Sequence, residues 1–295
     1  MSQHPALPWE SSFFERGALR QHYLDGGAGE AVVMVHGNPT WCLYFRELAR
    51  ALSGSCRVIV PDHIGCGLSS KPDDAAYDYT LKSRVDDLEA LLEHLGVEEK
   101  ITLVLHDWGG MIGMAYAVRH PERVRRLVIF NTAAFLLDPS RSLHWALEAC
   151  RTSWGAWLVR GLNAFAWTAS YVCCRQRPMS ADLRRLYLEP YDSWANRIAV
   201  LRFVQDIPLR AADRAYGLVR SVEDRLNCFV SVPMLICWGL KDFVFDEHFL
   251  REWERRFPNA EVHRFPEAGH YVLEDAGGAI VPLVKDFLER HPLPR

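Results

Sequence analysis

The sequence predicts an α/β protein in which a mostly parallel sheet is flanked by helices and interrupted by a helical insertion. Short runs rich in valine, isoleucine and leucine recur along the chain, and such near-continuous apolar runs are typical of strands covered on both faces. Segments with helical periodicity separate these runs, which favours an α/β sandwich. The alternation stops between residues 133 and 228 and then resumes.

Six runs predict the strands of this sheet. In chain order they are AVVMVHG (31–37), CRVIVPD (56–62), ITLVLHD (101–107), VRRLVIFN (124–131), PMLICWG (233–239) and AEVHRF (260–265). The clearest helix lies between the second and third runs. Thr80 is its predicted N-cap, Gly96 follows its last turn, and the apolar side chains between them share one face.

The central segment predicts a cap over the sheet. Residues 133–228 contain no strand-like run and are rich in tryptophan, leucine, alanine and phenylalanine. We therefore expect residues 1–132 and 229–295 to form the α/β core and residues 133–228 to form a helical insertion. Residues 141–225 hold thirteen arginines, no lysine and eight acidic residues, an excess of five positive charges. Such an excess usually covers a solvated face, although it could also face a partner or an acidic surface.

Composition excludes several classes of protein. A chain of 295 residues that is 49% hydrophobic can bury a full core. Its net charge of −3 gives no indication of nucleic-acid binding. We recognise no signal peptide and no apolar run long enough to span a bilayer. The eight cysteines are scattered without a C-x-x-C pair, so we expect no metal, no other cofactor and the reduced thiols of a cytoplasmic protein.

The stretch LVLHDWGGMIG (103–113) places Asp107 at a predicted nucleophile elbow. A strand-like run ends at this aspartate, and Gly109 and Gly110 open a helix-like segment, as in the sharp turn that exposes a nucleophile. The generic motif has glycine where this chain has Leu105, and an aspartate that only caps the helix is the alternative interpretation. Because a carboxylate is ionised at pH 7, Asp107 could attack an sp³ carbon directly and form an alkyl ester.

His270 and Asp242 are the predicted partners of this nucleophile. His270, in EAGHYVLED, follows the last strand-like run, and Asp242, in CWGLKDFVF, follows the run before it. This gives the chain order nucleophile, acid, histidine. Asp246 lies further along the same loop and is the rival acid. Asn131 ends the run VIFN, the other position from which an acid could come, and it cannot serve as one.

The stretch HGNPTW (36–41) predicts an anion site beside the nucleophile. A strand end followed by Gly37 and Pro39 is typical of an oxyanion loop, and an ordinary tight turn is the alternative. Asn38 adds a side-chain amide and Trp108 an indole N–H, and both are donors. Two such donors could hold an anion that leaves an sp³ carbon.

These motifs resemble the α/β-hydrolase superfamily and, within it, the haloalkane dehalogenases. The resemblance rests on the HGNPTW loop, the HDWGG elbow, the acid after the penultimate strand and the late GH histidine. It implies an α/β-hydrolase fold with an inserted cap. It also implies that Asp107 is the nucleophile, His270 the base and Asp242 the acid. Asn38 and Trp108 would then hold the leaving group.

A closer resemblance covers almost the whole chain. The stretches VIVPDHIGCGLSSKP, YDSWANRIAVLRFVQDIPL and WGLKDFVFDEHFLREW resemble the β-lactone decarboxylases of bacterial long-chain olefin biosynthesis. That family converts a cis-β-lactone with two long alkyl chains into a cis-olefin and carbon dioxide. The resemblance also implies partners, namely the lactone-forming synthetase and the reductase of the same pathway.

Four other functions compete with the decarboxylase hypothesis. A hydrolytic haloalkane dehalogenase is the first alternative, because the predicted site suits both reactions. An epoxide hydrolase would need cap tyrosines, and four are present: Tyr171, Tyr187, Tyr191 and Tyr216. A serine esterase is disfavoured because the chain contains no G-x-S-x-G. A protein that only binds a ligand is disfavoured by the intact set of nucleophile, base and acid candidates.

Overall fold

An eight-stranded sheet forms the centre of the protein. The computed structural model describes residues 4–293. The strand order is β1-β2-β4-β3-β5-β6-β7-β8, with β1 and β2 antiparallel to their neighbours and the remaining pairs parallel. The strands are β1 (Ser12–Arg16), β2 (Leu19–Gly26), β3 (Glu30–Val35), β4 (Cys56–Pro61), β5 (Ile101–Asp107), β6 (Val124–Thr132), β7 (Met234–Gly239) and β8 (Glu261–Phe265). The six strands predicted from apolar runs are thereby confirmed as β3 to β8.

The antiparallel strands β1 and β2 were not predicted. Strand β2 reads LRQHYLDG and carries no apolar run, although Gln21 and His22 are buried within it. Both polar side chains have partners in another part of the chain: Gln21 Nε2 donates to the Asp62 carbonyl, and His22 Nδ1 contacts the Asp62 carboxylate at 2.7 Å. A buried strand of this kind leaves little hydrophobic pattern in the sequence.

Helices cover both faces of the sheet. On one face lie α2 (Leu81–His94) and α3 (Trp108–Arg119), and on the other lie α1 (Arg46–Leu52) and α11 (Val272–Arg290). The helix α10 (Glu247–Arg256) connects β7 to β8 on the α2 side. The predicted start of α2 is confirmed, because the Thr80 hydroxyl accepts a hydrogen bond from Ser83 N. No helix among residues 4–293 is long and apolar enough to cross a membrane.

The chain between β6 and β7 contains helices and no strand in the residues described. These helices are α4 (Trp145–Arg151), α5 (Ser153–Leu162), α6 (Ala164–Val172), α7 (Ala181–Leu188), α8 (Ile198–Gln205) and α9 (Tyr216–Glu223). The first five surround a small apolar cluster of their own that contains Val159 and Tyr191. Helix α9 packs on α3 in the main core. The division into a core and a cap at residues 133–228 remains a prediction.

The loops that follow β3, β5, β6, β7 and β8 meet at one edge of the sheet. These strands are parallel, so their carboxyl ends lie side by side. In open α/β sheets this edge is where ligands bind. All five sequence-predicted site residues lie at this edge: Asp107 ends β5, Trp108 begins α3, and the other three lie in the loops.

Candidate active site

Asp107 lies at a sharp turn between β5 and α3. Its backbone has φ 52° and ψ −128°, a strained conformation for a residue with a side chain. The turn is possible because small residues surround it: a Cβ at Gly37 would overlap the Asp107 carboxylate, and a Cβ at Gly109 would overlap the Val35 carbonyl. The Asp107 side chain makes no capping hydrogen bond to α3, so the capping alternative has no support.

The Asp107 carboxylate is buried and held on both oxygens. Oδ1 accepts a hydrogen bond of 2.8 Å from the backbone N–H of Asn38, and Oδ2 lies 3.3 Å from His270 Nε2. Burial alone would raise the pKa of Asp107, but the hydrogen bond from His270 and its charge outweigh that effect and lower it. The carboxylate is therefore ionised at neutral pH and ready to act as a nucleophile.

His270 lies between two carboxylates. Its Nδ1 is 2.8 Å from Asp242 Oδ2, while Nε2 faces Asp107. Burial acts to lower the pKa of His270, but the charge of Asp242 and the hydrogen bonds to Asp107 and Asp242 raise it to about 10. The imidazole is consequently a cation at neutral pH while Asp107 keeps its charge.

The structure separates the two candidate acids. Asp242 is buried, its Oδ1 accepts from the backbone N–H groups of Val244 at 2.7 Å and Phe245 at 3.1 Å, and its Oδ2 faces His270. Asp246 instead caps α10 by accepting from His248 N at 3.0 Å and forms an ion pair with Arg141. Only Asp242 contacts the histidine.

Two residues that contact Asp242 and His270 were not predicted as part of the site from the sequence. Asn131 donates a hydrogen bond of 2.9 Å to Asp242 Oδ2, so the residue excluded as an acid contacts the acid. His106 Nε2 contacts the His270 carbonyl at 2.9 Å, and the two imidazole rings lie 4.7 Å apart. Burial, followed by the charge of His270, lowers the pKa of His106 to about 3, so this ring stays neutral. Its position directly before Asp107 was the only signal available in the sequence.

Asn38 and Trp108 line the same cavity as Asp107. One N–H of the Asn38 amide donates to the Val200 carbonyl at 3.1 Å; its second N–H has no acceptor among residues 4–293, and its buried Oδ1 has no donor there. The Trp108 ring packs on Phe203 at 5.3 Å, and its indole N–H has no acceptor among residues 4–293. Two donors that line a cavity without a protein acceptor are available to a bound anion.

The cavity above Asp107 is apolar and large. It has a volume of about 280 Å³, many times the roughly 10–15 Å³ that one water molecule needs. Its walls come mainly from aliphatic and aromatic side chains of α4, α5 and α6 and of the loops around residues 207 and 244. The charged side chains that face it are Asp107 and His270. Such a cavity fits a ligand with long hydrocarbon groups and one reactive polar centre.

One buried cluster has the composition of a metal site. His22, Cys42 and Asp62 lie close together beneath the loop after β4. Their polar atoms already contact one another: Asp62 Oδ2 is 2.7 Å from His22 Nδ1, and Asp62 Oδ1 accepts from Cys42 N at 2.7 Å. Burial raises the pKa of the Cys42 thiol well above its usual value, which opposes the thiolate form that metals bind. These contacts favour a structural role.

Comparison with known proteins gives matches that include all five candidate site residues. Residues 30–277 match the alpha/beta hydrolase fold family. A cis-3-alkyl-4-alkyloxetan-2-one decarboxylase of Shewanella oneidensis is 56% identical over 283 residues, which is 96% of this chain and 89% of the relative. The protein with the same description from Xanthomonas campestris is 50% identical over 287 residues, 94% of this chain and 95% of the relative.

Haloalkane dehalogenases are more distant relatives. Haloalkane dehalogenase 2 of Mycobacterium tuberculosis is 30% identical over 281 residues and covers 94% of each chain. The crystal structure of the haloalkane dehalogenase DatA from Agrobacterium tumefaciens matches with a TM-score of 0.84 at 26% identity, covering 96% of this chain and 97% of the other.

Proposed function

This chain belongs to the α/β-hydrolase fold family, and we propose that it decarboxylates cis-3-alkyl-4-alkyloxetan-2-ones to long-chain cis-olefins. One observation supports this most directly: an ionised carboxylate, Asp107, faces a large apolar cavity beside two unpaired donors. The relatives at 50–56% identity are described as decarboxylases of this substrate class. The apolar walls suit its two alkyl chains.

The first step would open the four-membered lactone ring. An oxygen of Asp107 attacks the ring carbon that bears the ring oxygen, an O–C ester bond forms, and the ring C–O bond breaks. The leaving group is the substrate's own carboxylate. The free N–H of Asn38 and the indole N–H of Trp108 would hold this carboxylate as its charge develops. Ring strain and burial both favour the step, and it needs no proton transfer.

The second step would release carbon dioxide. The bond between the substrate carboxylate and its neighbouring carbon breaks, and its electron pair forms the carbon–carbon double bond. The ester bond to Asp107 breaks at the same time and returns the nucleophile as a carboxylate. His270, a cation beside Asp107, stabilises that returning charge. The reaction consumes no water and requires no cofactor.

Dehalogenation is the second candidate, and the same site could perform it. An alkyl halide would esterify Asp107, and Asn38 and Trp108 would hold the halide. Esterification removes the negative charge of Asp107, one of the causes that raise the pKa of His270. The histidine could then lose its proton and activate water to hydrolyse the ester. The relatives at 30% identity that are described as dehalogenases support this alternative.

Epoxide hydrolysis has less support from the cavity. None of the four cap tyrosines lines the cavity within the part of the chain that the structure describes. The hydroxyls of the two buried ones are occupied, since Tyr187 donates to Glu274 and Tyr191 donates to the Thr40 carbonyl. Within residues 4–293, no cap tyrosine lines the cavity where it could hold an epoxide oxygen.

The proposed function implies protein partners and a cellular location. A decarboxylase of this kind would receive its lactone from the lactone-forming synthetase and reductase of the pathway, and we propose a complex with both in the cytoplasm. Co-purification of the three proteins at endogenous level, with cell fractionation, tests this part. Recovery of the chain without either partner would contradict it.

The decisive assay compares two substrates in oxygen-labelled water. Purified protein is incubated with a long-chain cis-β-lactone and, separately, with bromobutane, and Asp107→Ala serves as the inactive control. We expect the lactone to give cis-olefin and no hydroxy acid that carries labelled oxygen. We expect at most slow release of bromide from bromobutane. A labelled β-hydroxy acid as the main product would replace the decarboxylase by a hydrolase.

The variant His270→Gln separates the two mechanisms further. If the protein is incubated with an alkyl bromide, the ester on Asp107 should persist because no base activates water, and intact-protein mass spectrometry would detect it. With the cis-β-lactone the variant should turn over slowly without a stable adduct, because collapse to olefin needs no water. A persistent lactone adduct would contradict the proposed second step.

A further inference from the structure

The outward face of helix α5 is apolar. Trp154 is 77% exposed, Trp157 48% and Leu162 62%. Trp157 and Leu158 lie three and four residues after Trp154, and Leu162 lies four after Leu158, so these side chains share one face of the helix, while Val159 is buried. A helix on the surface of a water-soluble domain normally shows polar residues on its outer face. In α5 both the inner and the outer faces are apolar.

Rings from neighbouring segments extend this face. Trp154 and Trp157 pack edge to face at 6.3 Å, and Trp157 and Trp194 flank a single groove. On α6, Trp167 and Tyr171 pack at 4.6 Å, and both are about half exposed. We define the cap aromatic surface as Trp154, Trp157, Leu162, Trp167, Tyr171 and Trp194. Single exposed hydrophobic residues are common, but two groups of exposed, packed aromatic rings on the consecutive helices α5 and α6 indicate a binding surface.

Arginines without acidic partners border the cap aromatic surface. The guanidinium of Arg160 lies over the Trp194 ring at 4.7 Å, and that of Arg184 lies over Tyr171 at 4.4 Å. Among the described residues, neither has a carboxylate oxygen within 4.0 Å, although most arginines of this protein do. These two positive charges belong to the segment 141–225, with its excess of five. The surface therefore combines aromatic rings with two arginines that lack an ion-pair partner, while Glu189 and Asp192 line the groove next to Trp167 and Arg184.

The same helices line the cavity from their other side. Leu158 and Val159 of α5, and Phe165 and Ala169 of α6, all contribute to the cavity wall. Leu158 belongs both to the outward face of α5 and to the cavity lining. The apolar exterior and the apolar interior are thus separated by the thickness of one layer of helices.

We propose that the cap aromatic surface docks this protein on an anionic lipid bilayer. Tryptophan and tyrosine concentrate at the level of lipid headgroups, where an apolar ring and a polar N–H or O–H are both satisfied. Arginines beside them attract anionic headgroups, and an apolar helix face can lie in the plane of the interface. Docking would place the cavity next to the acyl layer, from which a substrate with two alkyl chains would enter. This last point, but not the docking, rests on the proposed function.

Vesicle flotation tests the docking. Wild-type protein is mixed with vesicles of equal parts phosphatidylcholine and phosphatidylglycerol, or of phosphatidylcholine alone, at about 0.15 M salt. We expect stronger binding to the anionic vesicles. The double variant Trp154→Ser/Trp157→Ser should bind about tenfold or more weakly, because two indole rings no longer enter the interface. Arg160→Gln and Arg184→Gln should each weaken binding about fivefold.

Matched controls lie outside the cap aromatic surface. Val230→Ser removes another exposed apolar side chain, and Arg251→Gln removes an exposed arginine of α10 that pairs with Glu247, so both should bind like the wild type. Equal binding of the tryptophan variant and the wild type, or no binding of the wild type to either vesicle, would overturn the proposal. So would a wild-type oligomer that the tryptophan variant disperses without any vesicle binding, because the surface would then be a protein interface.

An activity measurement keeps this inference separate from the proposed function. The tryptophan double variant should turn over a short-chain, water-soluble cis-β-lactone like the wild type. It should lose about tenfold or more of the turnover of a long-chain lactone supplied in anionic vesicles. If the wild type binds vesicles but decomposes neither lactone, the decarboxylase proposal fails and docking stands. Equal loss with both lactones would contradict the role in substrate entry.

Discussion

The side-chain amide of Asn131 donates a hydrogen bond of 2.9 Å to Asp242 Oδ2, the oxygen that also lies 2.8 Å from His270 Nδ1. Asn131 is anchored in turn, because its Oδ1 accepts from Gly239 N at 2.8 Å and its Nδ2 is 3.0 Å from the Gly239 carbonyl. The end of β6 therefore fixes both the end of β7 and the carboxylate that follows it. This arrangement holds Asp242 Oδ2 in the position that orients His270.

The proximity of Asn131 and Asp242 predicts that the acid can be moved between them. Asp242→Asn should lower turnover by roughly 10²–10⁴-fold, because the histidine loses the carboxylate that orients it. Adding Asn131→Asp should restore at least part of that loss, since the new carboxylate lies near the same oxygen position. Steady-state kinetics on the lactone check this. Adding Asn227→Asp, an exposed change elsewhere, to Asp242→Asn should restore no activity. Equal activity of the two double variants would contradict the prediction.

Asp107 should be indispensable, whereas the nearby Asp246 should not. Asp107→Ala removes the ionised carboxylate at the elbow and should abolish turnover of every substrate, with an unchanged circular dichroism spectrum. Asp246→Ala removes only the cap of α10 and the pair with Arg141, so activity should persist, with a loss of stability of about 1 kcal/mol. Activity of Asp107→Ala within tenfold of the wild type would refute the nucleophile assignment.

Asn38 and Trp108 should act on leaving-group departure. Asn38→Ala and Trp108→Phe each remove one donor and should lower kcat by about 10²–10³-fold, as at oxyanion-type sites. Trp145→Phe changes an exposed tryptophan that does not line the cavity. It is the matched control and should leave kcat unchanged. Effects of twofold or less in both site variants would mean that the pair only supports the structure.

The raised pKa of His270 makes its contribution to stability depend on pH. The folded protein holds this proton more tightly than the unfolded chain, because the pKa rises from 6.5 to about 10 on folding. The stabilisation is complete below pH 6.5 and is lost as pH rises through about 10. The difference in urea midpoint between the wild type and His270→Gln should therefore shrink across that range. A difference independent of pH would show that His270 is neutral in the folded protein.

The sequence alone determined most of the sheet and the composition of the candidate site. Strands covered on both faces must be apolar along their whole length, so β3 to β8 were visible as runs of residues. The elbow at Asp107 was visible for a related reason, since a polar residue between a buried strand and a glycine pair is a local pattern.

Only the tertiary structure decided which groups contact one another. Asp242 and Asp246 belong to one loop, and their roles differ because the turn after β7 directs only the first toward His270. Strand β2 can bury Gln21 and His22 because both side chains contact Asp62, about forty residues away along the chain. The exposure of the apolar face of α5 was likewise decided by tertiary packing. Helical periodicity groups Trp154 and Trp157 together, but the packing of the other helices decides whether that group faces the core or the solvent.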